Sequence, residues 1–269
     1  MSKEKVLITV KTYPTYSKSY EELVCTAGFK EDGSFIRIYP MPYRKLEYEQ
    51  QFEKYRWIEL ELVRNTKDFR PESYRPVNYE KITQLDFVDS EKGTWNRRKE
   101  ICLKKVYNDM SVLIKEAHDP AKWVSLAVFK PAFIDDVIIK ETEREWKKAE
   151  EIAINKEQMD LFPEHKKLEI VKKVPYNFYY RFRDINDKKS ELMISDWEAA
   201  KLYWNCLKKH DNDEKKACDD VRKKYMDEFS KKDIYLFLGT TKEHHVKSRN
   251  PFIVIGVFYP KIDLQGKLF

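Results

Sequence analysis

Residues 176–183 read Tyr-Asn-Phe-Tyr-Tyr-Arg-Phe-Arg. In an extended strand successive side chains point to opposite faces. Tyr176, Phe178, Tyr180 and Phe182 then make an apolar face fit to anchor a core, while Asn177, Tyr179, Arg181 and Arg183 make one that is aromatic and cationic. The second kind of surface suits stacked bases and phosphates. It also suits a half-exposed strand whose arginine stems lie along neighbouring aromatics. Ser34-Phe-Ile-Arg-Ile-Tyr39 repeats the pattern, with Ile36 and Ile38 on one side and Phe35, Arg37 and Tyr39 on the other. Two further basic–aromatic clusters are Arg64, Lys67, Arg70, Tyr74 and Arg75, then Trp95, Arg97, Arg98 and Lys99. The latter opens a helix or loop, where cations oppose the helix dipole and arginine forks reach phosphate oxygens.

The stretch from Gly239 to Arg249 lies between two strand-like runs and holds two threonines, two histidines and three cations. Thr240 and Thr241 can donate to phosphate, Lys242 and Arg249 can pair with it, and His244 or His245 can stack or transfer protons. A charged, exposed hairpin loop has the same composition. The stretch lacks the glycine spacing and following helix of a nucleotide-hydrolysing phosphate loop.

Signals for catalysis are sparser. The five histidines are too dispersed for an obvious metal triad, and Asp135-Asp136, after a strand-like run, could bind Mg2+ together with a distant acid. Glu141 and Glu143 fit the acidic first turn of a helix. The four cysteines form no CxxC pair, which argues against a disulfide framework or structural zinc. Neither a metal nor a cofactor is expected. Lys208–Lys232 mixes nine basic with seven acidic residues along an apolar seam, a solvated helix face.

Elements that position these residues follow from periodicity. Strands are predicted at Lys5–Lys11, Leu23–Phe29, Ser34–Tyr39, Trp57–Val63, Trp123–Phe129, Val137–Ile139, 176–183, Glu191–Ile194, Ile234–Leu238 and Phe252–Phe258. Asp32-Gly33 marks a hairpin. Helices are predicted over 99–117, over 141–158, from a capping box at Ser195 and Glu198 with Trp197, Ala200, Trp204 and Leu207 inward, and along Ala217, Val221, Tyr225 and Phe229. Hydrophobic residues make up 42% of 269 residues, enough for a packed core, and the net charge of +6 permits a polyanionic partner only where cations cluster. No signal peptide or membrane span is evident, so a cytoplasmic setting without membrane contact is expected.

Two stretches, Val6-Leu-Ile-Thr-Val-Lys-Thr-Tyr-Pro through Gly33-Ser-Phe-Ile-Arg-Ile-Tyr-Pro40, and Tyr235–Gly239 with Pro251-Phe-Ile-Val-Ile-Gly256, resemble as a set an uncharacterised bacterial family with dual OB-like domains. Members of that family are suspected of belonging to phage-defence or mobile-element neighbourhoods. The resemblance covers about a third of the chain and carries over no functional residue. It implies small β-barrels that recognise nucleic acid or a nucleotide.

The expectation is an α+β protein with two β-rich, OB-like subdomains and helical insertions: 1–159, a linker at 160–174, and 175–269. The expected function is non-catalytic recognition of DNA or RNA, in a bacterial defence system if the resemblance holds. The expected sites are Arg37, Tyr39, Arg70, Arg75, Arg97, Arg98, Tyr179, Arg181, Arg183, Lys242, His244 and Arg249. One alternative is a metal-dependent enzyme acting on nucleic acid or a nucleotide through Asp135, Asp136 or His244. Another is a subunit of a protein complex that docks a partner through Trp146 or the 208–232 helices.

Overall fold

The computed structural model describes residues 2–13, 15–17, 20–41, 43, 46, 51–146 and 171–263. The first unit comprises β1 (Ser2–Lys11), a ribbon of β2 (Thr15–Ser17) and β3 (Tyr20–Leu23), β4 (Thr26–Lys30), β5 (Phe35–Ile38), β6 (Arg56–Arg64), β7 (Ser73–Pro76) and β8 (Thr83–Phe87). Five of these close on themselves. β1 pairs antiparallel with β4, β4 with β5, β7 with β6 and β6 with β1, while β5 and β7 run parallel. Numbered among themselves, the barrel strands follow the order 1-2-3-5-4-1, that of an OB Greek-key barrel.

Sequence chemistry explains the closure. In β6, Ile58, Leu60 and Leu62 are buried while the alternating Trp57, Glu59 and Glu61 are half-buried, the period of two that a barrel wall requires. At the β4–β5 turn Gly33 takes φ +84°, and the Asp32 carboxylate accepts from the Ser34 amide at 2.7 Å and hydroxyl at 2.6 Å. Gly28 lets β1 and β4 approach, since a Cβ there would lie 2.1 Å from the Leu7 carbonyl oxygen.

The second unit repeats the plan. α1 (Asn96–Cys102), β9 (Val106–Tyr107) and α2 (Met110–His118) lead into β10 (Leu126–Phe129) and β11 (Phe133–Glu141). These two act as one first strand bent around Pro131. β12 (Tyr176–Arg183), β13 (Lys189–Met193), α3 (Trp197–Lys209), α4 (Glu214–Arg222), β14 (Tyr235–Thr240) and β15 (Phe252–Phe258) follow. β11 pairs with β12, β12 with β13, β14 with β15 and β10 with β14, all antiparallel. β13 meets β15 through a parallel bridge from Ile194 to Val254, where the Ser195 amide donates to the Val254 carbonyl at 2.7 Å. The strand order is again 1-2-3-5-4-1, with α3 and α4 between the third and fourth strands. The protein is α+β, two OB-like barrels with helical insertions.

The barrels share a core. Leu7, Val10, Ala27 and Phe29 of the first pack with Leu126, Val128, Phe237, Ile255 and Phe258 of the second in one buried cluster. Because β10 and β11 pair with strands beyond residue 176, the sheets part near residue 104. The expected linker at 160–174 does not mark that division, and most of it lies outside the described residues.

Several elements differ from expectation. The predicted helix 99–117 is two helices separated by β9, because Asp109 caps α2 by accepting from the Ser111 and Val112 amides. Cys102 then belongs to the shared cluster, and Met110, Leu113 and Ala117 to the second barrel's own core. The predicted helix 141–158 does not begin at 141, where β11 still runs, and its remainder from 147 lies outside the described residues. Asp196 rather than Ser195 caps α3, accepting from the Glu198 amide at 3.2 Å. The buried seam of α3 is accordingly Ala199, Ala200, Tyr203 and Cys206. The seam Ala217, Val221, Tyr225 and Phe229 is buried as expected.

Candidate nucleic-acid interface

The loop between the fourth and fifth strands of each barrel emerges beside its counterpart. In the first barrel this is residues 65–72, in the second 241–251. Lys242 Nζ donates to the Lys67 carbonyl at 2.5 Å. The Phe69 ring packs edge-on against His245 at 5.3 Å and Trp123 at 4.7 Å. Arg70, 5% exposed, donates from Nη1 to the Thr240 carbonyl.

A buried polar network lies beneath. Arg37 donates to the hydroxyls of Ser73 at 3.1 Å and Ser125 at 2.8 Å, and to the carbonyls of Ser125 and Thr240 at 3.2 and 3.4 Å. Arg70 grips Asp68 at two points, 2.9 and 2.5 Å. Burial works to raise the Asp68 carboxyl, but the guanidinium and the Ser73 hydroxyl at 2.8 Å bring it down to about 2. Glu72 accepts from the Ser125 amide at 3.0 Å and hydroxyl at 2.7 Å. His245 is fully buried with its Nδ1 2.7 Å from the Thr240 hydroxyl, and burial lowers its pKa.

This network corrects two of the expected ligand-binding residues. Arg37 is 2% exposed and Arg70 5%, so neither meets a ligand. The outward face of β5 is the surface on which the second barrel docks, and no local pattern in the sequence announces a docked neighbour.

Above the network the loops present cations. Lys67, Lys242, Lys247 and Arg249 are exposed, with Glu243 as the exposed carboxylate of the same two loops. Among the described residues none of these four cations forms an ion pair. His244 also faces solvent, its amide donating to the Thr241 hydroxyl at 3.3 Å. The adjacent histidines therefore point apart, His244 outward and His245 inward.

The octet is the second strand of the second barrel. Phe178, Tyr180 and Phe182 are buried, whereas Asn177, Tyr179, Arg181 and Arg183 lie outward. The outward face is an ionic lattice. Arg181 and Lys140 both reach Glu191, at 2.9 and 2.5 Å. Arg183 pairs with Asp135 at 3.0 Å and Asp187 at 2.9 Å and covers the Phe133 ring at 4.7 Å. Lys140 Nζ sits 4.5 Å from the centre of the Tyr179 ring. Arg222 holds Asp136 at 2.6 Å. The two aspartates are thus committed to separate arginines, and they do not converge with His244.

The other expected residues are dispersed. Arg98 is 5% exposed, donating twice to the Val88 carbonyl and lying 3.7 Å from the Tyr55 ring centre. It is a core residue, the third correction. Its neighbour Arg97 is exposed on α1. Arg75 is exposed on β7, and the half-buried Tyr39 hangs its amide on the Tyr74 carbonyl at 2.9 Å.

One cluster escaped the sequence reading. Lys54, 9% exposed, pairs with Asp196, 2% exposed, at 2.9 Å and with Glu198 at 3.1 Å. Lys11 nearby donates to the Phe52 carbonyl at 3.0 Å and the Tyr43 hydroxyl at 3.2 Å. Burial and the Lys54 charge lower its pKa to about 8. Lys54 and Asp196 are 142 positions apart, so no spacing rule could have joined them.

Comparison with known proteins adds family membership. Among curated proteins nothing matches the chain. Among solved structures, the crystal structure of the tetrameric p202 HIN2 aligns at 8% identity over 73% of this chain and 71% of its own, with a TM-score of 0.29. A likeness that slight supports no argument about fold or function. Residues 2–104 match the profile of Domain of unknown function (DUF8758). Residues 106–269, more than half of the chain, match a second profile, and the chain accordingly belongs to the family described as Domain of unknown function (DUF8757).

Proposed function

We propose that this protein binds nucleic acid without catalysing a reaction on it, gripping backbone phosphates with the abutting loops 65–72 and 241–251. The observation that carries this reading is the set of four exposed cations, Lys67, Lys242, Lys247 and Arg249, without a carboxylate partner among the described residues. They stand on loops held by the Arg37 and Arg70 network. The loop between strands four and five is one of the two from which OB barrels bind oligonucleotides. Fixed cations release condensed counterions from a polyanion and so bind it in a salt-dependent way. His244, between Lys242 and Lys247, offers a ring for stacking.

The outward face of β12 and β13 offers a second surface, with Tyr179, Arg181 and Arg183, although the acidic partners of the two arginines make it a weaker source of attraction. The resemblance of the two chain ends extends the proposal to a recognition component of a bacterial phage-defence or mobile-element system. Loss of protection against phage plating on deleting the gene would support that role.

The test is a double substitution, Lys242→Ala with Arg249→Ala, titrated against labelled single- and double-stranded DNA and RNA. Binding should weaken, and the salt slope should flatten by about one unit for each phosphate that is no longer neutralised. Arg97→Ala, on α1, should leave both unchanged. Equal affinity and slope in the double variant would refute the loop assignment.

A further inference from the structure

A cavity of about 170 Å3 opens where the two barrels meet, at the end of the outward face of β12 and β13. Tyr13 and Trp146 are among its walls, and Asn177, Met193, Ser195 and Lys173 line it as well. Both aromatic walls are anchored. The Tyr13 hydroxyl donates to the Lys172 carbonyl at 2.7 Å and accepts from Trp204 Nε1 at 3.2 Å. Trp146 Nε1 donates to the Val171 carbonyl at 2.8 Å. By contrast, among the described residues the Asn177 side-chain amide and the Ser195 hydroxyl have no hydrogen-bond partner. Rigid aromatic walls around two uncommitted polar groups suit a flat heterocycle whose edge carries donors and acceptors.

Size and position narrow the ligand. A cavity of about 150 Å3 takes a benzene ring, so this one, at about 170 Å3, is of a size for a single base, with any sugar and phosphate left outside. Asn177 shares its strand face with Tyr179, Arg181 and Arg183, and Met193 stands opposite Tyr179 in register. Alternate residues of a strand lie about 7 Å apart, a step comparable with that between nucleotides of an extended single strand. Lys173, whose Nζ lies 5.4 Å from the Trp146 ring centre, is already paired with Glu143 at 3.5 Å, so among the described residues the cavity offers no free cation and selects for the base rather than the phosphate.

We infer that the cavity receives one unstacked nucleobase of a single strand lying along the β12–β13 face, with Asn177 and Ser195 reading its edge. The inference rests on the nucleic-acid reading above, but it engages different residues from the loop cations. The same chemistry would accept the base of a free nucleotide, and the test separates the two sources.

The full chain is titrated with a labelled mixed-base 12-mer and with an abasic 12-mer of equal charge. Nucleoside monophosphates are titrated separately by tryptophan fluorescence. Asn177→Leu replaces the amide with an apolar group of the same branching, and Ser195→Ala removes the hydroxyl, so both take away edge readout without blocking the cavity. The wild type should bind the mixed-base strand at least about fivefold more tightly than the abasic one, the lower end of what stacking one base supplies. Asn177→Leu and Ser195→Ala should each reduce that advantage, while both retain binding to the abasic strand and its salt slope. An advantage unchanged in Asn177→Leu overturns the cavity assignment and leaves the phosphate reading standing. Mononucleotide binding lost in Asn177→Leu, with neither strand bound, keeps the base site and overturns the strand. No binding of any probe overturns both.

Discussion

Arg37, Arg70 and Arg98 belong to the residue type that grips phosphate, and each is instead spent on protein oxygens. For Arg70 the partner is itself buried. Arg70→Met leaves the Asp68 carboxylate unpaired beneath two loops, a loss of about 3–5 kcal/mol for breaking a buried pair, to be read from the urea midpoint. An unchanged midpoint would contradict the network. The pH dependence has a definite sign. Asp68 has its folded pKa at about 2, below an ordinary value of about 3.9. Its contribution is therefore complete above about pH 4 and is lost as pH falls toward 2. Asp68→Asn should be less stable than wild type at pH 7 by about 2 kcal/mol, and the gap should close across that acid window. A gap constant from pH 7 to pH 2 would show that the carboxylate is not held by Arg70. At this scale the alternation of the octet was legible, because inward and outward positions are fixed by strand geometry. The burial of Arg37 was not, because it depends on a barrel that begins about ninety residues later in the chain.

Strands were the most legible elements, since β-branched and aromatic runs bounded by Asp-Gly or Pro leave little alternative. Helices fared worse. The spacing of Cys102, Val106 and Met110 imitates one continuous helix, yet the first and third residues face different cores. Asp196 shows why the cap of α3 fell one position late. Its carboxylate serves the helix and Lys54 together, and the second duty comes from the other barrel. Gly28 gives a test at this scale. With a Cβ required 2.1 Å from the Leu7 carbonyl oxygen, Gly28→Ala should force β1 and β4 apart and cost at least about 1–3 kcal/mol, seen as a lower melting temperature. A variant as stable as wild type would mean that the strands are not so closely paired.

The two barrels form one folding unit through the cluster that joins Leu7, Val10 and Phe29 to Val128, Phe237 and Phe258. A single calorimetric transition is expected. Phe237→Ala should lower that transition as a whole, by about 3–5 kcal/mol of stability, and separate melting of two halves would contradict the shared core. That two β-rich units exist could be read from the sequence, but their division near residue 104 could not. The first strand of the second barrel lies far in sequence from its partners, and only pairing reveals that it belongs with them. The loop surface was half legible. Lys242, His244 and Arg249 stood out by composition, while their junction with Lys67 is a product of how the barrels dock. The deciding measurement is anisotropy of a labelled single-stranded oligonucleotide with the full chain across a salt series. Four loop cations, each neutralising one phosphate, predict a slope of log affinity against log salt of about −3. No binding at low salt, or binding indifferent to salt, would contradict the proposal that this surface grips nucleic acid.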